Sequence, residues 1–154
     1  MSVFVALCIG IVAGLRALTA PALVSWAAHL GWLHLEGSPL AFMGSTIAVV
    51  IFTLVAIVEY VTDLLPKTPP RTAPPGLIAR IVTGALSGAC LSVSGGASLL
   101  FGAVLGAIGA VIGTFGGYQL RTRLVSGLKV KDFFIAIPED LVAIAFAYWL
   151  VTTR

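Results

Sequence analysis

The chain has 154 residues, of which 59% are hydrophobic and only 10% are charged. Soluble domains carry about 25% charged residues, so this composition excludes an ordinary water-soluble domain and predicts a single integral membrane domain over residues 1–154. The net charge of +3 is modest, and the basic residues of the chain fall mainly in predicted loops. This distribution argues against a nucleic-acid partner and favours a lipid bilayer as the partner.

The first apolar segment, residues 3–32, is interrupted by Arg16 and Pro21. It exceeds the roughly 20 residues that cross about 30 Å of hydrocarbon, so we predict one span that is kinked between these two residues. The alternative is a re-entrant hairpin. A charge inside such a segment costs roughly 2.5–3.5 kcal/mol unless it is compensated. We therefore expect Arg16 to pair with Glu59, with carbonyls freed by Pro21, or with a bound anion.

Four further spans follow from long apolar runs. Residues 81–120 contain no charged side chain, which is enough for two spans, and Ser94, Gly95 and Gly96 predict the turn between them. The predicted fold is therefore an all-α polytopic bundle of about five transmembrane helices, over residues 3–32, 41–64, 77–93, 98–120 and 138–152.

Glycines four residues apart predict how these helices pack. Such small-xxx-small pairs let helix backbones approach closely in lipid. They indicate a tight bundle that can also form a homo-oligomer. The pairs are Gly10 and Gly14, Gly84 and Gly88, Gly102 and Gly106, and Gly109 and Gly113.

The stretch from Glu59 to Arg80 joins the second and third spans. Its prolines fix φ and remove backbone donors, which predicts a stiff extended connector. Glu59 and Asp63 share one helix face beside the basic residues of this stretch. They form either an interfacial ion-pair cluster or a binding or gating site. The prolines are Pro66, Pro69, Pro70, Pro74 and Pro75.

Loop charges predict the orientation. In a five-span protein, loops 65–76 and 121–132 lie on the same side as the N-terminus, and loops 33–40 and 93–97 on the other side contain no lysine or arginine. The positive-inside rule then predicts a cytoplasmic N-terminus, and we expect a bacterial inner (plasma) membrane. The basic residues in and beside the first two loops are Lys67, Arg71, Arg80, Arg121, Arg123, Lys129 and Lys131.

Three motifs in this order carry a family resemblance: GLRALTAPALVSWAA from Gly14, the stretch Glu59–Pro74, and ARIVTGALSGA from Ala79. With the EDLVAI segment at Glu139 included, most of the chain resembles the DUF4126 family of small membrane proteins. The resemblance implies a membrane protein with this helix layout and supplies no activity. Leu64 departs from the family pattern, in which a lysine follows the aspartate.

Several polar residues in or beside the spans are candidates for a binding site. Arg16 and Thr19, at the predicted break, suggest a midplane site for an anionic solute or a lipid headgroup. Pro138 is expected to begin the last helix, where acids in the first turn complement the helix dipole. Alternatively, these acids converge with other charges in a polar vestibule that relays protons or holds a cation. The candidate residues are Arg16, Thr19, Glu59, Asp63, Arg71, Arg80, Arg121, Glu139 and Asp140.

Enzyme signatures such as HExxH, GxSxG and the Walker motif do not occur in the sequence, and neither does a metal-ligand pattern. We expect a protein that is not an enzyme and that needs no metal or cofactor. The leading hypothesis is a small inner-membrane transporter or channel for a small, anionic or amphiphilic solute. The alternative is a non-transporting scaffold or assembly partner, in which the glycine faces pack against the transmembrane helices of another protein.

Overall fold

A computed structural model describes residues 2–65, 69–70 and 72–153. These residues form six α-helices and one short 3-10 helix, Ala41–Gly44, and contain no strand. Four of the helices, α3 to α6, are long and apolar enough to cross a membrane. The predicted all-α polytopic bundle is therefore confirmed. The α-helices are α1 (Ser2–Leu15), α2 (Thr19–His29), α3 (Thr46–Asp63), α4 (Pro74–Ser94), α5 (Leu99–Leu128) and α6 (Asp132–Thr152).

The first apolar segment is fully broken rather than kinked. α1 ends at Leu15 and α2 begins at Thr19. Pro21 explains the break, because its ring would clash with the carbonyl of Ala17 in a continuous helix. Pro21 is tolerated in the first turn of α2, because N–H groups in the first turn make no hydrogen bond within the helix. At 14 residues, or about 21 Å, α1 is too short to cross the hydrocarbon.

α1 and α2 together form the re-entrant hairpin, which was the alternative to a single span. α1 runs parallel to α5, since Gly10 lies against Gly106 and Gly14 lies farther along α5, against Ala110 and Thr114. α2 runs back beside α3, and the loop after it returns to the carboxyl end of α4, where the amide of His34 donates to Ser94 Oγ at 3.1 Å. The segment thus enters and leaves the bundle at the same end.

The two ends of the bundle differ in composition. The end of the bundle at which α3 and α5 finish and α4 and α6 begin is called the basic end. At the opposite end lie the amino end of α1 and an edge-to-face contact of Trp32 with Tyr148, whose ring centroids are 6.2 Å apart. In the bundle, the amino end of α1 lies at the end opposite the basic loops, and not beside them as five full crossings would place it.

Glycines hold α1, α4 and α5 together, as the four-residue spacing predicted. A Cβ on Gly84 would lie 2.7 Å from the carbonyl oxygen of Gly106, and a Cβ on Gly88 would lie 2.9 Å from the Cα of the same residue. Gly14 of α1 meets α5 at Gly113 and Thr114 in the same way. The backbones are therefore in direct contact, and these glycine faces are occupied within one chain.

Three helix boundaries correct the sequence predictions. Pro74 and Pro75 are the first residues of α4 and not part of an extended connector, because proline is tolerated where helical N–H groups have no partner. α5 continues to Leu128, so that Arg121 lies on a helix. α6 begins at Asp132 and contains Pro138 in its interior. Glu139 and Asp140 are therefore not first-turn residues, and the helix dipole does not account for them.

Candidate functional site

Arg16 lies at the break between α1 and α2 and its side chain is completely buried, with 0% exposure. Its Nε donates to Asp140 Oδ1 at 2.6 Å, and its guanidinium also forms ion pairs with Asp63 and Asp140. The ring of Tyr60 covers the guanidinium, with 4.9 Å between Arg16 Cζ and the ring centroid. A helix on each side, α3 and α6, thus supplies one carboxylate to the buried cation. Such charge-assisted bonds compensate the loss of hydration.

Glu59 lies one turn before Asp63 on α3, but it does not pair with Arg16 as expected. Its two carboxylate oxygens accept hydrogen bonds from the backbone amides of Ala17, at 2.8 Å, and Leu18, at 2.9 Å. These amides precede the first turn of α2, where the helix dipole favours a negative charge. Arg16 follows the carboxyl end of α1, where a positive charge is favoured. Both helix ends at the break are therefore neutralised by side chains of the same chain.

Tyr60 is a site residue that the sequence analysis missed. Its hydroxyl bonds to Thr19 Oγ1 at 2.6 Å, and its ring stacks on Arg16. The available signal was a tyrosine directly after the only acid in the interior of an apolar span. Thr19, predicted from its position beside the break, is buried and lies in the site.

A cleft of about 710 Å³ opens at the basic end of the bundle, next to the buried arginine. Among the described residues, its charged lining residues are Asp63, Arg80, Arg121 and Asp132, and Tyr118 is the aromatic one. Arg80 is only 6% exposed although it lies on this lining. Asp63 is part of both the Arg16 ion-pair cluster and the cleft lining. The cleft is therefore linked to the buried arginine through one carboxylate.

Arg121 joins α5 to α6 beside this cleft. Its guanidinium forms two hydrogen bonds with the carboxylate of Asp132, and the Nε–Oδ1 distance is 2.6 Å. Glu139 Oε2 lies 3.8 Å from Nη1 of Arg121. Asp132 is a second residue that the sequence analysis missed, because it was assigned to a loop and not to the first turn of a helix.

The structure brings most of the predicted site residues together in two adjoining groups at the basic end. Arg16, Thr19, Glu59, Asp63 and Asp140 surround the helix break. The cleft adds Arg80 and Arg121, and Glu139 lies beside Arg121. Arg71 was also predicted and lies outside the described residues. Among the described residues, no three histidines, cysteines or acids are placed to hold a metal ion.

No family model, curated protein or solved structure matches this chain. Through Asp63, the cleft adjoins a buried ion-pair cluster at a helix break, and contacts from α3 and α6 close this cluster.

Proposed function

We propose that this protein is a small inner-membrane transporter or channel, in which the cleft receives the solute and the Arg16 cluster is the closed gate. One observation carries the proposal: a fully buried arginine at a broken helix is paired with Asp63, which also lines an open cleft. Broken helices whose ends meet polar groups within the membrane are typical of transporter binding sites. Ionisable residues in that position are typical of substrate pathways.

The proposed solute is small and amphiphilic or anionic. The cleft lining carries two arginines, Arg80 and Arg121, together with the acids Asp63 and Asp132, and Tyr118 supplies an aromatic surface. The volume falls within the roughly 300–1,000 Å³ of small-molecule sites. Because Asp63 is half of an ion pair with Arg16, an anion that competes for Arg16 would separate it from α3 and open the break.

The proposed setting is a bacterial inner membrane with the basic end in the cytoplasm, by the positive-inside rule. With the observed hairpin, this orientation puts the amino end of α1 on the other side. Membership of the DUF4126 family is part of the proposal, and so is a homo-oligomer.

The scaffold alternative has less support. It relied on glycine faces that would receive the helices of another protein, and those faces are filled by contacts of α1, α4 and α5 with one another. What remains exposed is mainly the branched apolar surface of helices such as α3, which lipid covers without a specific partner.

Cysteine labelling tests whether water reaches the gate. In a Cys8→Ala, Cys90→Ala background, single cysteines replace Ala20 beside the break, Ser126 in the cleft, and Ala89 in the glycine-packed part of α4. An impermeant thiol reagent is added from each side of sealed vesicles. We expect rapid labelling at Ser126, slow labelling at Ala20 and none at Ala89. Adding Asp63→Asn should accelerate labelling at Ala20 about tenfold, which corresponds to a gate weakened by about 1.4 kcal/mol.

If the cysteine at Ala20 stays as unreactive as the one at Ala89, with and without Asp63→Asn, while Ser126 reacts, the gate hypothesis is wrong and the break is a sealed structural feature. Transport itself is tested in liposomes that contain the protein, by the efflux of phosphate and of short-chain carboxylates. Efflux from liposomes with the wild-type protein should exceed that from empty liposomes, and it should change when the protein carries Arg16→Gln. Equal efflux from wild-type and empty liposomes would contradict transport of this solute class.

A further inference from the structure

The carboxyl-terminal part of α5 extends beyond what a membrane crossing requires. α5 has 30 residues and is therefore about 45 Å long, against about 30 Å of hydrocarbon. The extra length lies at the basic end, because this is where α5 finishes. Because a long span also tilts, we place residues 119–128 at the border between the hydrocarbon and the headgroups at this end.

This extension has two opposite faces. One face lines the cleft with Tyr118, Arg121, Thr122, Val125 and Ser126, which follow the i, i+3, i+4 spacing of one helix surface. The other face, about half a turn away, has the same spacing and carries Leu120, Arg123, Leu124 and Leu128. These three leucines are 61%, 38% and 63% exposed. An apolar stripe of this kind is unfavourable in water and indicates contact with the membrane.

The basic residues beside the stripe lack acidic partners among the residues that the structure describes. Arg123, Lys129 and Lys131 are all exposed, and none of them makes an ion pair with any part of the chain that the structure describes. Arg121, two residues from Arg123 on the other face, is by contrast paired with Asp132. The helix thus separates a paired cation that faces the cleft from unpaired cations that face outward.

Exposed aromatic residues continue this surface into α6. Phe133 and Phe134 lie in the first turn of α6 with 48% and 64% exposure and contact each other edge to face. Only Asp132, which pairs with Arg121, separates them from Lys131. Apolar residues next to unpaired cations at the end of a transmembrane helix match the border between lipid tails and phosphates.

We propose that residues 119–134 form an interfacial site for anionic phospholipids, with phosphates bound by Arg123, Lys129 and Lys131 and acyl chains in contact with the leucine stripe and the two phenylalanines. The partner follows from charge complementarity: three exposed cations that make no ion pair within the described part of the chain select an anionic over a zwitterionic headgroup. The opposite face of the same helix lines the cleft. Bound lipid would therefore keep the α5 residues that line the cleft at the level of the headgroups. The inference does not require transport.

Native mass spectrometry of the full-length protein in detergent tests this site, with phosphatidylglycerol and phosphatidylcholine added in equal amounts. The wild type should retain phosphatidylglycerol preferentially. Arg123→Gln, Lys129→Asn and Lys131→Gln combined should lose this preference, by about fivefold for each cation removed. The asparagine is chosen because residue 129 has a φ of 52° and asparagine tolerates that conformation.

A matched variant separates charge from fold. Arg123→Lys, Lys129→Arg and Lys131→Arg combined preserve every charge and should retain the wild-type preference. All three proteins are checked by circular dichroism and size-exclusion chromatography. An unchanged preference in the neutralised variant, or no preference in the wild type, overturns the proposal. Loss of the preference in the charge-preserving variant would do so as well, because it would show that charge is not what selects the lipid.

Discussion

The side chain of Arg16 connects three helices. The residue follows the carboxyl end of α1 and bonds to acids of α3 and α6, so that its charge joins elements far apart in sequence. The desolvation of a fully buried guanidinium is offset only because two carboxylates and the ring of Tyr60 surround it. The same arrangement makes the protein sensitive to substitution of Arg16.

Removal of Arg16 should destabilise the protein strongly. Arg16→Leu leaves two carboxylates close together without a cation, and we expect a loss of about 3–5 kcal/mol in the free energy of unfolding. Combining it with Asp63→Asn and Asp140→Asn should recover part of that loss, because no uncompensated charge remains. Unfolding in mixed micelles measures both variants. A triple variant less stable than Arg16→Leu would show that charge compensation is not the main role of these residues.

Glu59 should matter through the backbone of the break. Glu59→Ala removes the acceptor of the Ala17 and Leu18 amides, and we expect about 1–3 kcal/mol of destabilisation from buried donors left unpaired. Glu59→Gln keeps one acceptor oxygen and should lose less. The same unfolding measurement compares the two variants. Equal effects would indicate that the negative charge, and not the hydrogen bonds, is what stabilises the amino end of α2.

Among the helices, α1, α4 and α5 form a closely packed core, whereas α3 is peripheral. The core helices touch backbone to backbone through glycine, and only 17% of the span of α3 is buried. α3 is instead joined to the hairpin by polar bonds: Glu59 to the break, Tyr60 to Thr19, and Thr53, which accepts from Trp26 Nε1 at 3.0 Å. Any movement that opens the site is therefore expected at α3 and not at α1.

Alanine at the helix contacts should separate packing from helix propensity. Gly84→Ala brings a Cβ to 2.7 Å from the Gly106 carbonyl oxygen and the Ala110 Cβ, and should force α4 and α5 apart. Gly116→Ala on α5 has nothing within 4 Å and should be neutral or stabilising by up to about 1 kcal/mol. Thermal unfolding in detergent measures both. A stable Gly84→Ala protein would mean that these helices are not held by glycine contact.

For the molecule as a whole, the hairpin decides which side each loop occupies. Four helices that are long enough to cross a membrane and the hairpin of α1 and α2 put the amino end of α1 with loop 30–45, opposite the basic end. Five full crossings would put it with the basic loops.

Sided labelling distinguishes these topologies. Single cysteines at Glu36 and at Lys129, in the background without Cys8 and Cys90, should react from opposite sides of inside-out and right-side-out vesicles. A short epitope tag before Ser2 should be accessible from the same side as Glu36, because α1 does not cross. Accessibility of the tag from the side of Lys129 would contradict the hairpin and restore the five-span arrangement.

Composition and hydropathy were sufficient to predict an all-helical membrane protein, since uncharged runs of this length have few other stable structures. The glycine spacing predicted close helix contacts, and Ser94 to Gly96 predicted the turn between α4 and α5. Arg16, Thr19, Asp63 and Asp140 were also identified as candidates, because polar residues are unfavourable in lipid without partners. These are local properties of the chain and need no knowledge of how its helices are arranged.

Only the tertiary structure decided which charges meet. Sequence distance favoured Glu59 as the partner of Arg16, but one helical turn moves the contact to Asp63, and Asp140 arrives from a helix 124 residues away. The hairpin was undecided for the same reason: Pro21 predicts a break, but the direction that the chain takes after it depends on the packing of α1 against α5 and of α2 against α3. Which side chains pair across helices depends on how far each helix is shifted along the bundle and how it is rotated about its own axis. The spacing of residues along a single helix gives neither quantity.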